Sequence, residues 1–414
     1  MCERDLWDFW GRNSMTTDVL IVGGGPAGMM AGLLFARAGV SVKVIEKHAD
    51  FFRDFRGDTV HPSTMEILDQ LGLLGKFLKR PHDRLDRAQI NISGLNYMIG
   101  DLSHLDTPAP FIAMMPQWEF LDFLRDEAVR YPCFSLAMEE PVTGFVEAGG
   151  RIAGVRCASG REERAGKLVI AADGRSSLVR SLNLLPVMTI GAPMDVFWFR
   201  VPKIENSGDA IRGSIASGRM VVLIDRRTYW QCAYLIPKGQ SETIRARGIA
   251  WIQDEVRKAF PDISLPSESL ATTEDLHLLE VSLDRLTHWS RPGLLAIGDA
   301  AHAMSPIGGV GINLAIQDAV AAANALAAPL ARGDGVDGLL HRVEQRRLLP
   351  TRIIQAGQKA TQDRLIGRAL GGGLVKAPLA VRLLNRFPLL RRIPGRLIGL
   401  GFRRERVRSP NFFS

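Results

Sequence analysis

Near its start the chain sets a strand, a glycine loop, a helix and a second strand end to end. Asp18–Val22 reads DVLIV, a β-branched apolar run of the kind buried on both faces of a parallel sheet. It passes directly into Gly23-Gly24-Gly25-Pro26-Ala27-Gly28. Met29–Ala38 is small, apolar and helical in character and is closed by Gly39; Val40–Ile45 is a second apolar strand, and Glu46 follows it. In the pattern Gly23-x-Gly25-x-x-Gly28 the first glycine permits the tight turn, the second lets the backbone approach a pyrophosphate, and the third lets helix and strand pack closely. The helix start adds free N–H groups and a partial positive charge of about 0.5 for the phosphates. Glu46 stands where a carboxylate accepts both ribose hydroxyls, which argues against a 2′-phosphate. Pro26, Ala27 and Lys47 flank these positions and are counted with them as cofactor-binding candidates. The unit predicts an α/β fold with a Rossmann-type domain.

A second segment decides which dinucleotide. Gly293–Ile297 is a buried-strand pattern ending in Gly298-Asp299. A glycine-rich loop, Pro306-Ile307-Gly308-Gly309-Val310-Gly311, then enters an alanine-rich helix near Ile312-Asn313. Asp299 is placed to accept hydrogen bonds from a polyol chain, and the second helix start can stabilise negative charge on a bound ring. A nicotinamide dinucleotide has no ribitol; a flavin has both the ribitol and a ring edge that becomes anionic on reduction. The expected resident cofactor is therefore FAD.

With these motifs, and with Asp173-Gly174 between them, the sequence resembles the class A single-component flavin monooxygenases, the aromatic hydroxylases with the p-hydroxybenzoate hydroxylase fold. The resemblance runs from Thr16 to Leu330. It implies a glutathione-reductase-like FAD-binding domain, an inserted β-sheet substrate domain and a C-terminal helical region. The expected boundaries are 15–80, 110–185 and 285–330 for the FAD domain, 81–109 and 186–284 for the substrate domain, and 331–414 for the helical region. Residues 1–14 form an extension with no assigned role. The resemblance also implies that Glu46 holds the adenosine ribose, that Arg56 contacts the diphosphate, and that Gln117 lies near the ribose or ribitol. Asp173-Gly174, followed by Arg180, serves both FAD and NAD(P)H, and Asp299 binds the ribitol and pyrophosphate. Gly311, Ile312 and Asn313 meet the flavin ring edge. Pro306, Gly308 and Gly309 line the edge where oxygen reacts. The implied reaction reduces FAD with NADH or NADPH, adds O2 at the flavin C4a to give a hydroperoxide, and hydroxylates a phenolic, aromatic or polyketide-like substrate.

Rival functions are an FAD-dependent reductase of the same fold without oxygen insertion, a membrane-associated quinone-ring hydroxylase, and a flavin-binding scaffold without turnover. No second Gly-x-Gly-x-x-Gly follows a strand, so NAD(P)H is expected to visit only transiently. There is no Gly-x-Ser-x-Gly elbow and no metal-ligand spacing among the histidines. His302 is read as structural, and His61-Pro62 as a helix start. Aromatic residues alternate along strand-like segments of the expected substrate domain. Trp198 and Trp230 are substrate-stacking candidates, and Arg200 and Arg227 candidates for an anionic group.

Charge bears on partners. The net charge is +8, but the last 51 residues carry twelve Lys or Arg and one acid, Glu405, leaving the body slightly acidic. Nucleic-acid binding is therefore not expected. Arg382, Arg386, Arg391, Arg392 and Arg396 are interleaved with Leu, Ile and Phe. The favoured reading is a helical cap with its apolar face inward and its arginines in water; the sharper one is peripheral contact with an anionic membrane. With neither a signal sequence nor an uninterrupted apolar run of membrane-spanning length, a cytoplasmic enzyme is expected.

Overall fold

The computed structural model describes residues 17–52, 59–203, 211–226, 228–263, 270, 272–373 and 375–413. Arg56, Arg227 and the 1–14 extension lie outside these residues. The glycine-loop unit builds the centre of the larger sheet. Its first strand, Thr17–Val22, pairs in parallel with Val42–Ile45 on one side and Glu162–Ala171 on the other. Phe134–Ala137 and Leu294–Ala296 extend the parallel order outward, and an antiparallel pair, Val142–Ala148 and Arg151–Cys157, continues from the long third strand. The helix Pro26–Arg37 buries every residue from Ala27 to Phe35 and Ala36, because it is covered by the sheet on one side and by the long helix Gly311–Ala331 on the other.

That long helix is apolar enough over its length to cross a membrane, yet it is mostly buried inside the protein. Alanines allow its close approach to the glycine-loop helix. A Cβ at Gly298 would meet Ala27 at 3.0 Å and Ala315 at 3.2 Å. The two helix starts and the Gly298 turn therefore converge on one spot.

A second, seven-stranded sheet runs in the order His277–Leu279, Met194–Pro202, Tyr229–Pro237, Arg219–Asp225, Ile211–Ala216, Arg87–Ile92, Leu95–Asp101. All its pairs are antiparallel except Ile211–Ala216 with Arg87–Ile92. Its outer face is covered by the helix Ile249–Ala259 through Ile252 and Val256. The sequence suggests one helix around Ile244–Phe260. The chain instead forms Ser241–Arg245 and Ile249–Ala259, broken at Gly248, whose φ of +81° no continuing helix adopts.

The C-terminal region departs most from expectation. Two short helices, Leu379–Arg386 and Arg392–Leu400, are followed by an extended strap. The strap crosses the core that packs on the parallel sheet. Asn324 clamps it by donating to the Arg406 carbonyl and accepting from the Arg408 and Ser409 N–H groups, and Phe412 N–H donates to the Arg37 carbonyl at 2.9 Å. The strap is thus a packed closure. The helices cap the fold only in part: Val381, Ile398 and Leu400 pack inward, whereas Leu379, Leu383, Ile393 and Leu397 of the helices, and Phe387 and Leu389 between them, are exposed.

Candidate active site

Three glycines of the loop are required for different reasons. Gly23 has φ +103°, and a Cβ there would lie 2.5 Å from the Ala172 carbonyl oxygen. At Gly28 it would lie 1.9 Å from the Gly23 carbonyl oxygen. Gly25 has φ −72° and ψ −177°, a backbone any residue adopts, and a Cβ there would meet nothing within 4 Å. The protein itself makes no demand for glycine at 25; the open space lies at a helix start, where a phosphate group fits. Glu46 sits at the rim of this space. Its Oε2 accepts from Gly24 N–H at 2.8 Å and its Oε1 from His48 N–H at 3.1 Å, while Lys47 is exposed beside it.

Asp173 follows the strand that flanks the loop. Its Oδ2 accepts from Leu178 N–H at 2.8 Å, its Oδ1 is buried without a partner among the described residues, and burial pushes the carboxyl up. Gly174 turns the chain at φ +85°. Arg175, which the sequence reading did not single out, donates from Nε to Asp299 Oδ2 at 3.1 Å. Arg180 braces the Asp299 turn from behind. It donates to the Asp299 and Ala300 carbonyls, both at 2.9 Å, and pairs with Asp284 at 2.6 Å. The strand-end acids Glu46, Asp173 and Asp299 thus rim the same end of the parallel sheet, where ligands of open α/β sheets bind.

The second loop is shaped by two successive left-handed residues, Gly308 at +80° and Gly309 at +61°. A side chain at Gly309 would strike Thr59 at 2.4 Å. Pro306 starts the turn and is half-buried. The Asn313 side chain is fully used inside the protein: its Oδ1 accepts from His61 N–H at 2.9 Å and from the Thr64 hydroxyl at 2.7 Å. Only backbone N–H groups at Gly311, Ile312 and Asn313 are left for a ligand, and the first N–H groups of a helix have no helical acceptor. Gln117 opens its helix, Gln117–Ala128, half-buried.

His61 ties this corner to the C-terminal helices. Its ring is fully buried, Nδ1–H donates to the Ile398 carbonyl at 2.8 Å, and Nε2 has no partner among the described residues. Burial lowers its pKa from 6.5 to about 4, against the opposing pull of the Ile398 carbonyl. The unfolded chain then binds the proton first on acidification. Stability contributed by neutral His61 is full above pH 6.5 and is lost as pH falls toward 4, by about 3 kcal/mol. Urea midpoints measured from pH 7 to pH 4 should show this slope, and His61→Gln should flatten it.

His302 is also buried, with Nε2 at 2.6 Å from Asp318, so it sits in a structural contact away from the open space. Among the described residues no cluster of His, Cys, Asp or Glu is arranged for a metal.

The strand register sorts the substrate candidates. Trp198 pairs with Ala233 and Arg200 with Gln231, so these four share the inner face. Trp198 packs on the same apolar cluster as Ile307 of the second loop. Arg200 lies toward the edge, its guanidinium 4.9 Å from the Tyr229 ring. Trp230 does not join them. It pairs with Val201, which turns it to the outer face, where it is buried with Phe199 and carries the Lys203 ammonium at 5.1 Å. Gln231, like Arg175, is a residue the sequence reading missed. Its Oε1 accepts from Arg226 Nε at 2.9 Å, while its Nε2 and the Trp198 Nε1 are buried donors with no acceptor among the described residues.

Comparison with known proteins shows the family to which the chain belongs. The FAD binding domain family model matches residues 16–356. The chain is 34% identical over 406 residues to 6-methylpretetramide 4-monooxygenase of Streptomyces rimosus, covering 96% of this chain and 95% of that protein. It is 25% identical over 352 residues to protoasukamycin 4-monooxygenase of Streptomyces nodosus subsp. asukaensis, covering 78% and 82%. The fold matches p-nitrophenol 4-monooxygenase of Pseudomonas putida with a TM-score of 0.75 at 20% identity, over 94% of this chain and 99% of that one.

Proposed function

The chain belongs to the FAD-binding family of flavoprotein monooxygenases, and from that premise we propose that it hydroxylates an aromatic, polyketide-like substrate rich in oxygen acceptors. The observation that carries the substrate reading is the pair of buried, unsatisfied donors, Trp198 Nε1 and Gln231 Nε2, on the sheet face that meets Ile307. A buried donor without an acceptor costs about 1–3 kcal/mol, and a bound carbonyl or phenolate oxygen removes that cost.

When bound, FAD supplies electron transfer from NAD(P)H and activation of O2 for insertion of one oxygen atom. The chain's own residues have separate tasks in this reading. Gly23, Gly25 and Gly28, with the start of the helix at Pro26-Ala27, hold the diphosphate, and the family resemblance gives Arg56 a contact with it. Glu46 takes the ribose hydroxyls with Lys47 alongside, and Gln117 and Asp299 take the polyol. Asp173 and Gly174 close the end of the sheet. The N–H groups of Gly311, Ile312 and Asn313 face developing negative charge on the ring. Pro306, Gly308 and Gly309 form the wall beside the reacting edge and exclude water. The parallel-sheet unit is the cofactor domain and the seven-stranded sheet the substrate wall, where Trp198 stacks on the substrate and Arg200 and Arg227 attract its anionic groups. We place the enzyme in the cytoplasm, with peripheral membrane contact through the basic C-terminal segment.

Purified protein should be yellow, and phenolic and polyketide compounds should accelerate its NAD(P)H oxidation. Under labelled oxygen the product should gain one oxygen-18 atom. Trp198→Phe and Gln231→Leu should each raise KM about tenfold, as expected for one lost hydrogen bond, with a smaller effect on kcat. A protein that fails to bind FAD, or product free of label, would reject the reading.

A further inference from the structure

We propose that the two C-terminal helices and an arginine-lined cavity beside them form a docking face for an anionic phospholipid bilayer, with a headgroup phosphate seated in the cavity. The proposal rests on the peripheral-contact reading above and does not depend on the chemistry at the flavin.

The helix Arg392–Leu400 is seated through glycine. A Cβ at Gly395 would come within 2.0 Å of the Asp101 carbonyl oxygen, and one at Gly399 within 2.8 Å of Leu105. Residues two apart lie about 200° round a helix, so this seat fixes Ile393 and Leu397 on the outward face. Both are exposed, Ile393 by 67%. On the preceding helix Leu379 and Leu383 form the same outward stripe, with Leu379 and the following Leu389 each exposed by 69%. Turning the last helix to bury Ile393 and Leu397 would drive side chains into the Asp101 backbone and the Leu102 and Leu105 side chains. The apolar stripes are therefore outward by construction. Alongside them run Arg382, Arg386, Arg392 and Arg396, and no acid occurs between Arg364 and Arg404.

The cavity adjoins this face, with a volume of about 450 Å³. Arg346, Arg396, Arg403, Arg404, Arg406 and Arg408 line it, with Glu405 as its only acid. Glu405 is buried and pairs with Arg346 at 2.5 Å, and Arg404 reaches Glu66 at 2.9 Å. Arg396, Arg403 and Arg408 make no ion pair among the described residues. Arg396 belongs to both the cavity and the outward row, which joins the two into one surface.

This combination selects its occupant. Guanidinium groups bind phosphate oxygens by charge-assisted, often bidentate, hydrogen bonds. A soluble phosphate would use the cavity and leave the leucine stripes without purpose. A second copy of the chain would set this cationic face against itself. An anionic bilayer answers both parts: its surface potential attracts the arginines, and its interfacial layer takes the apolar side chains.

The test is flotation of the full-length, FAD-loaded protein with vesicles of pure phosphatidylcholine and with vesicles enriched in phosphatidylglycerol, with glycerol 3-phosphate as soluble competitor. Capture by the phosphatidylglycerol vesicles alone, weakening with salt, is expected. Each arginine near such a surface contributes roughly fivefold in affinity, so Arg396→Glu with Arg408→Glu should reduce capture by more than about 25-fold. Ile393→Asp with Leu397→Asp should abolish the capture that survives high salt. Both variants should keep FAD and their NAD(P)H oxidation in solution, so a failure of the monooxygenase reading would register separately. The proposal is overturned by absence of capture, by capture indifferent to both variants, by saturable glycerol 3-phosphate binding without vesicle capture, or by light scattering that shows a dimer lost with Leu397→Asp.

Discussion

Gly25→Ala should leave the apoprotein folded and at least as stable as the parent while weakening FAD binding about 100-fold or more. The backbone at 25 already suits an L-residue, and a Cβ there meets nothing within 4 Å. Replacing glycine at such a site restricts the unfolded chain and adds about 0.5 kcal/mol of stability. The same methyl group occupies the space a pyrophosphate needs to reach the N–H groups of the Pro26–Arg37 helix. Gly28→Ala should behave in the opposite way. Its Cβ would sit 1.9 Å from the Gly23 carbonyl oxygen, so strand and helix must separate, at the upper end of the ~1–3 kcal/mol typical of overpacking or beyond. Calorimetry on the two apoproteins, with flavin titration by fluorescence quenching, distinguishes a glycine required by the ligand from one required by the fold. Normal FAD affinity in both Gly25→Ala and Gly25→Val would remove the loop from the cofactor site.

That distinction was only half legible in the sequence. The order of strand, glycine loop, helix and acid is local, and local patterns reach the structure: the strand lies at Thr17–Val22, and the helix runs over Pro26–Arg37, starting three residues before the expected Met29 because the loop's last residues already form its first turn. The strand-end acids were legible for the same reason, because each follows its own apolar strand. What the sequence leaves open is register and orientation. Alternation along Met194–Pro202 and Tyr229–Pro237 says that half the aromatics face each way, but only the pairing Trp198 with Ala233 and Trp230 with Val201 decides which half faces the second loop. Gln231 escaped notice because its meaning comes from lying beside Arg200 on a neighbouring strand. The C-terminal helices were legible only in part: Val381, Ile398 and Leu400 do pack inward, but Leu379, Leu383 and Leu397, expected on the same buried face, point outward. The overlooked signal was the four-residue spacing of Gly395 and Gly399, which marks a helix seated by its smallest residues.

The longest-range feature carries the other large effect. Asp318, fully buried on the long helix, accepts from His302 Nε2 at 2.6 Å, from Arg347 Nε at 2.9 Å and from Gly298 N–H at 3.1 Å. Arg347, also buried, lies 3.6 Å from Glu405 of the C-terminal strap, whose own N–H donates to Gln317. One carboxylate thus links the Gly298-Asp299 turn to the closing strap. Burial alone would raise the Asp318 carboxyl; His302 and Arg347 outweigh it and hold the group below its ordinary value. Its contribution is present above the usual carboxylate range and is lost as pH falls through the lower folded value. Asp318→Leu should therefore cost about 3–5 kcal/mol, because Arg347 is left buried with only the more distant Glu405 as counter-charge. That is a large part of the ~5–15 kcal/mol that holds a typical domain folded. Arg347→Met should cost less, since Asp318 keeps His302 and the Gly298 N–H. The double variant Asp318→Leu with Arg347→Met should recover much of the loss, as replacement of a buried ion pair by apolar side chains often does. FAD affinity should fall in every variant lacking Asp318, including the stable double variant, because the Gly298 turn that presents Asp299 loses its brace. Equal costs for the two single variants, or unchanged flavin affinity in the double variant, would reduce the network to ordinary core packing.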